Sequence, residues 1–162
     1  YITGPAGAGK STAIDVAQQF CFEFSRHVNL MWNDRTFYFT ALSGCAAALF
    51  GGVTLHSAAY LNSKTKNISN DMIDEWKDVK ILIIDEISFM TENELMKLDV
   101  WLHQYRDQNK VFGGYTIIFG GISDNSSEGS FKNNCFQGIQ NRILKINVFK
   151  WKSKANGNRD IS

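Results

Sequence analysis

Eight consecutive residues carry the clearest chemistry in this chain. Gly4-Pro5-Ala6-Gly7-Ala8-Gly9-Lys10-Ser11 fits the pattern G-x-x-x-x-G-K-[ST], and Thr12 follows directly. Glycines at these spacings let the backbone curl until successive N–H groups point inward, where they can cradle phosphate oxygens. A helix opening near Lys10 would add the positive end of its dipole. Lys10 would then reach the β- and γ-phosphates of a nucleoside triphosphate, with the Ser11 hydroxyl on Mg2+.

A second motif supplies the matching acids. Ile81-Leu82-Ile83-Ile84 runs into Asp85-Glu86, so an apolar strand delivers carboxylates to its C-terminal end, where open α/β sheets bind ligands. Asp85 is suited to hold Mg2+ through its water shell. Glu86 is placed to orient or deprotonate an attacking water. A kinase sharing the phosphate loop would not need the second acid, so the pair favours hydrolysis.

These motifs need elements to hold them. Tyr1 to Thr3 reads as the end of a strand already under way, which suggests a fragment of a longer protein. Ser11 to His27 reads as a helix with Ile14, Ala17, Phe20 and Phe24 on its apolar side. Thr36 to Ala41 is aromatic and β-branched, hence a strand, and Ser43 to Phe50 a short helix ending at Gly51-Gly52. Ser63 to Asn70 is polar and loop-like, and Asp71 to Trp76 a short amphipathic helix. Val79 to Asp85 is apolar enough for a strand buried on both faces. Thr91 caps a helix running to about Arg106, with Glu94 completing a capping box and Leu95, Leu98 and Leu102 facing inward. Tyr115 to Phe119 is another buried strand ending in glycines. Asp124 to Asn134 is a loop, Ile143 to Phe149 a last strand, and 150–162 a polar basic tail. Alternating strands and helices without hairpin signals predict a three-layer α/β fold with a mainly parallel sheet, one domain over 1–149.

Composition sets the outer bounds. The 162 residues suit one domain, the 44% hydrophobic fraction is that of a globular protein, and the net charge is only +1. Overall electrostatics therefore argue for neither nucleic acid nor membrane. No run approaches the ~20 apolar residues of a membrane span. Cys21, Cys45 and Cys135 show no metal-binding spacing and read as small buried residues of a reducing compartment. The stretches 40–48 and 51–57 suggest no mechanism of their own beyond a packed strand-to-helix turn. His56 by itself reads as structural rather than catalytic.

The ordered series GPAGAGKST, TALSGCAAA, GGVTLHSA, LIIDEISFM and FGG resembles the Pif-family DNA helicases, a superfamily-one group that includes the helicase portions of Helitron transposons. The likeness runs from Tyr1 to Gly121. It implies a RecA-like P-loop ATPase domain that binds and hydrolyses MgATP and moves five-prime to three-prime on single-stranded DNA. By this resemblance Thr40, Ser43, Gly44, Thr54, His56 and Ser57 lie on the single-strand track, with Ser88 and Met90 beside the acids. It also implies a second RecA-like domain outside this chain, an intracellular place (the nucleus in a eukaryote), and tasks in DNA repair, recombination or telomere maintenance.

The family pattern breaks after the Phe119 strand. Where the family continues Gly-Asp-Phe-x-Gln-Leu-Pro-Pro, this chain has Gly120-Gly121-Ile122-Ser123-Asp124-Asn125. Gly121 takes the Asp position and Asp124 the Gln position, where a carboxylate near phosphate is unfavourable. Lys150 aligns with a phosphate-contacting Arg and would lack its bidentate fork. Nucleotide binding is expected to survive these changes, whereas unwinding by this chain alone is not. The alternative reading is a pseudo-ATPase or nucleotide-binding switch acting through a partner.

Overall fold

The structure is a computed structural model that describes residues 1–62 and 68–122. Five strands form one sheet: β1 (Ile2–Gly4), β2 (Phe37–Ala41), β3 (Val53–Thr54), β4 (Ile81–Asp85) and β5 (Thr116–Ile122). Their order across the sheet is β1-β5-β4-β2-β3, and every pairing is parallel. The helices are α1 (Lys10–His27), α2 (Gly44–Leu49), α3 (Leu55–Ala58), α4 (Asn70–Trp76) and α5 (Glu92–Tyr105).

The apolar run at β4 becomes a central strand because both of its faces are covered. Leu82 and Ile84 point into one cluster with Leu55, Trp76, Leu95, Leu98 and Leu102 from α3, α4 and α5. Ile83, alternating to the other face, packs with Ile14 of α1, Ala46 and Ala47 of α2, and Phe37 and Phe39 of β2. The result is the expected three-layer α/β arrangement. Trp76 anchors the first cluster. Its ring stacks on Tyr105 at 5.3 Å and meets Tyr115 edge-on at 5.7 Å, while its indole N–H donates to the Ala58 carbonyl at 3.1 Å. Burial pushes the Tyr115 phenol up to about 12.

Local signals set most boundaries correctly. Ser43, Thr54, Ser69 and Thr91 each cap the helix that follows, and the Thr91/Glu94 capping box is complete. The stretch 51–57 is indeed a packed strand-to-helix turn, with β3 running straight into α3.

Two expectations are corrected. Phe20 and Phe24 do not share the buried side of α1; they are 69% and 53% exposed and stack on each other. Ile14 sets the inward direction, and at about 100° per residue the matching positions are Ala17, Cys21 and Ser25, which are half-buried or buried. Phe20 and Phe24 fall roughly 120° and 80° off that line. Cys45, expected to be buried, is exposed at the start of α2, while Cys21 is half-buried. The loop expected at 124–134, the strand at 143–149, the tail, Cys135, Asp124 and Lys150 all lie outside the described residues.

Candidate functional site

Parallel pairing puts the C-terminal ends of β1, β4 and β5 at one rim of the sheet, and each end leads into a motif. β1 runs into the glycine loop, whose curl comes from left-handed backbone at Gly7 (φ 76°) and Gly9 (φ 79°). A Cβ at either position would meet no atom within 4 Å, so the glycines serve backbone conformation rather than packing. Gly9 is also the N-cap of α1 and contributes no side-chain cap. The first-turn N–H groups of that helix thus keep their usual availability to an anion. Lys10 folds back over the loop and donates to the Gly4 and Pro5 carbonyls at 2.9 and 2.8 Å. Ser11 and Thr12 are exposed at the first turn.

At the end of β4 the Asp85 carboxylate accepts from the Glu86 backbone N–H at 2.9 Å. Glu86 itself adopts a left-handed backbone, φ 58° and ψ 35°, as cap of the 3₁₀ turn Ile87–Phe89. An L-residue there costs about 1–2 kcal/mol, and such outliers gather at functional sites. Its Oε2 is buried and has no hydrogen-bond partner among the described residues, an arrangement that costs roughly 1–3 kcal/mol more. The acid is therefore held where folding alone gains little from it. These features fit a magnesium–nucleotide ligand: a curled backbone cradle, an exposed hydroxyl at Ser11, and acids beside the cradle's sheet.

The glycines after β5 complete the rim. A Cβ on Gly120 would collide with the Asp85 carboxylate, and one on Gly121 would lie 3.0 Å from the Tyr1 hydroxyl and 3.1 Å from Ile87 Cγ2. Only a strand without side chains can run this close to Asp85. The glycine pair at a strand end is the signal for this in the sequence, but its target is not legible there. Ser88 is half-buried and Met90 is buried in the turn behind the acids.

The residues expected on a nucleic-acid track separate into two groups. Thr40 is fully buried, and its hydroxyl donates to the Ile83 carbonyl at 2.6 Å; it belongs to the core, not to a surface. Ser43 and Thr54 are half-buried caps of α2 and α3, while Gly44 and Ser57 are exposed. His56 is half-buried and pairs with Glu94 of α5 at 2.8 Å. Burial works against ionisation of Glu94, but hydrogen bonds from the Thr91 backbone and hydroxyl and from His56 outweigh it and hold the carboxyl below its usual value.

Comparison with known proteins decides the family. Residues 1–125 match the family model described as PIF1-like helicase. The chain belongs to the PIF1-like helicase family. Among curated relatives, the ATP-dependent DNA helicase PIF1 of Xenopus laevis is 31% identical over 153 residues, covering 85% of this chain and 22% of that protein. The ATP-dependent DNA helicase RRM3 of Saccharomyces cerevisiae is 30% identical over 130 residues, covering 75% and 17%. A solved Pif1 helicase from Candida albicans superposes with a TM-score of 0.55 at 28% identity, covering 74% of this chain and 27% of that one. A Bacteroides Pif1 bound to single-stranded DNA gives 0.57 at 25% identity, covering 80% and 30%. The chain thus spans less than a third of the PIF1-like helicases it matches. These two curated relatives are enzymes named as ATP-dependent DNA helicases, and the fold is that of the RecA-like domain of the solved Pif1 helicases. No described helix is long and apolar enough to cross a membrane.

Proposed function

We propose that this chain is the first motor domain of a PIF1-like DNA helicase, spanning 1–149, which binds MgATP at Gly4 to Thr12 and hydrolyses it with Asp85 and Glu86. The observation that carries the reading is the buried, unpartnered Glu86 Oε2 on left-handed backbone at the rim that also holds the glycine loop. Backbone N–H groups of the loop and Lys10 hold the phosphates, Lys10 exchanging the Gly4 and Pro5 carbonyls for phosphate oxygens. Ser11 and Asp85 hold Mg2+, which when bound supplies Lewis-acid stabilisation of phosphoryl charge. Glu86 takes the proton of the water that attacks the γ-phosphorus as the β–γ bridging bond breaks. Ser43, Gly44, Thr54 and Ser57 offer hydroxyl and backbone groups to single-stranded DNA, along which the whole protein moves five-prime to three-prime with a second RecA-like domain. Non-specific strand contact needs such groups rather than base-edge readers.

The test is ATP turnover by the chain with and without single-stranded DNA. Glu86→Gln is expected to lose about 10²–10⁴-fold in turnover while retaining nucleotide, and Lys10→Ala to lose nucleotide binding as well. Robust duplex unwinding by the isolated chain would contradict the requirement for a second domain. Gly121, packed beneath Tyr1 and Ile87 where the family carries an acid, favours a second reading as a nucleotide-binding switch. Nucleotide binding without turnover in the unaltered chain is the result that would select it.

A further inference from the structure

Glu94 does more than close its own helix. Its Oε2 accepts from the Thr91 backbone N–H and from the Thr91 hydroxyl, both at 2.7 Å, and the Thr91 hydroxyl in turn accepts from the Glu94 N–H at 3.3 Å. That set already completes a capping box. The other oxygen, Oε1, lies 2.8 Å from His56 Nε2. A carboxylate only accepts, so the imidazole donates here through Nε2–H. The pair is roughly three-quarters shielded, with the side chains 26% and 27% exposed, where a charge-assisted bond is stronger than in water.

The two ends of this bond belong to different parts of the site. His56 lies on the four-residue α3, between its cap Thr54 and Ser57, both offered above to single-stranded DNA. α3 is seated in the core by Leu55 and Ala58. Thr91 ends the segment that begins at Glu86, passes through the 3₁₀ turn Ile87–Phe89 and closes at α5. A bond that the cap does not require therefore joins the candidate strand-contact helix to the segment carrying the hydrolytic acid.

We propose that His56 and Glu94 are positioning residues that couple occupancy of the Thr54–Ser57 surface to the placement of Glu86. Movement of α3 on contact with a nucleic-acid strand passes through His56 to Glu94 and Thr91, and so to the backbone of residues 86–90. This rests on the proposed function, and His56 acts through Glu94 rather than on the reacting atoms.

The experiment compares Glu94→Ala, which removes the tie and half of the cap, with Thr91→Ala, which weakens the cap and leaves the tie. Glu94→Gln is the rescue variant: it keeps the side-chain shape, its one carbonyl oxygen can still accept from Thr91, and its amide NH2 can donate to His56 Nε2 in the other imidazole tautomer. ATP turnover is measured against oligothymidylate concentration, with amide hydrogen exchange of residues 86–91 before and after adding the oligonucleotide. Expected for Glu94→Ala is turnover without DNA within about twofold of the unaltered chain, maximal DNA stimulation reduced about tenfold, and an unchanged half-saturating DNA concentration. The DNA-induced change in exchange at 86–91 disappears, Thr91→Ala retains it, and Glu94→Gln restores most of the stimulation. Equal losses in Thr91→Ala and Glu94→Ala would reduce the bond to a structural cap and overturn the coupling. A raised half-saturating concentration with full maximal stimulation would do the same. If the unaltered chain binds oligothymidylate but exchange at 86–91 does not respond, the coupling alone fails. If it binds no oligothymidylate, the DNA reading fails and takes the coupling with it. An exchange response without turnover leaves the coupling standing and overturns only the hydrolytic reading.

Discussion

Gly120→Ala tests whether backbone packing, and not only the motif residues, sets the geometry of the proposed hydrolytic site. The added Cβ would clash with Asp85 Oδ1 and lie 3.2 Å from its Cγ. Ordinary carbon contacts are about 3.5–4.0 Å, so the carboxylate must move by about 1 Å. Its freedom to do so is small, because Oδ1 accepts from the Glu86 N–H and β4 is held between β2 and β5. Overpacking of this kind costs about 1–3 kcal/mol in stability. A misplacement of about 1 Å at a positioning group can cost around 10²-fold in rate. We therefore expect a folded protein with ATP turnover down about 10²-fold, a raised Mg2+ requirement, and metal-free nucleotide binding close to unchanged because the glycine loop is untouched. Gly121→Ala is the control. Its Cβ meets the Tyr1 hydroxyl at 3.0 Å and the Ile87 methyl at 3.1 Å rather than a carboxylate, so turnover should stay within severalfold of the unaltered chain. Wild-type turnover and Mg2+ dependence in folded Gly120→Ala would refute the placement of Asp85 at the metal.

Further outcomes follow from packing and electrostatics. Trp76→Ala removes a fully buried ring bridging α3, α4 and α5, and should destabilise the chain by about 3–5 kcal/mol in urea unfolding. Phe20→Ser, on the exposed side of α1, should change the unfolding free energy in the same assay by no more than about 0.5 kcal/mol; a core-sized loss would restore the face expected from spacing alone. Glu94 ionises more readily when folded, against burial, through its bonds from Thr91 and His56. Its stabilising contribution is therefore complete above the ordinary carboxyl value of 4.5 and is lost as pH falls through the lowered folded value. Glu94→Gln should flatten that part of the acid side of a stability-against-pH curve, and an unchanged acid limb would count against the bond network.

The features legible in the sequence are those that local chemistry dictates. Gly7 and Gly9 announce a backbone that must turn left-handed, and Lys10 and Ser11 follow them onto a helix start whatever packs around it. The unbroken apolar run before Asp85 requires cover on both faces, which already implies parallel strands with helices above and below. Thr91 and Glu94 specify a helix start within four residues. The tertiary structure alone decided what those pieces touch. That β5 lies between β1 and β4, and so brings Gly120 against Asp85, depends on pairing between residues far apart in the chain, which no local period encodes. The same is true of Thr40, whose β-branched polar side chain reads as available until β4 closes over it and accepts its hydroxyl proton. Phe20 and Phe24 mislead for a related reason, since spacing defines a stripe but only the partner surface defines which stripe faces inward. His56 reads from the sequence alone as structural, and only the fold sets it 2.8 Å from Glu94, a residue whose own local role was already complete.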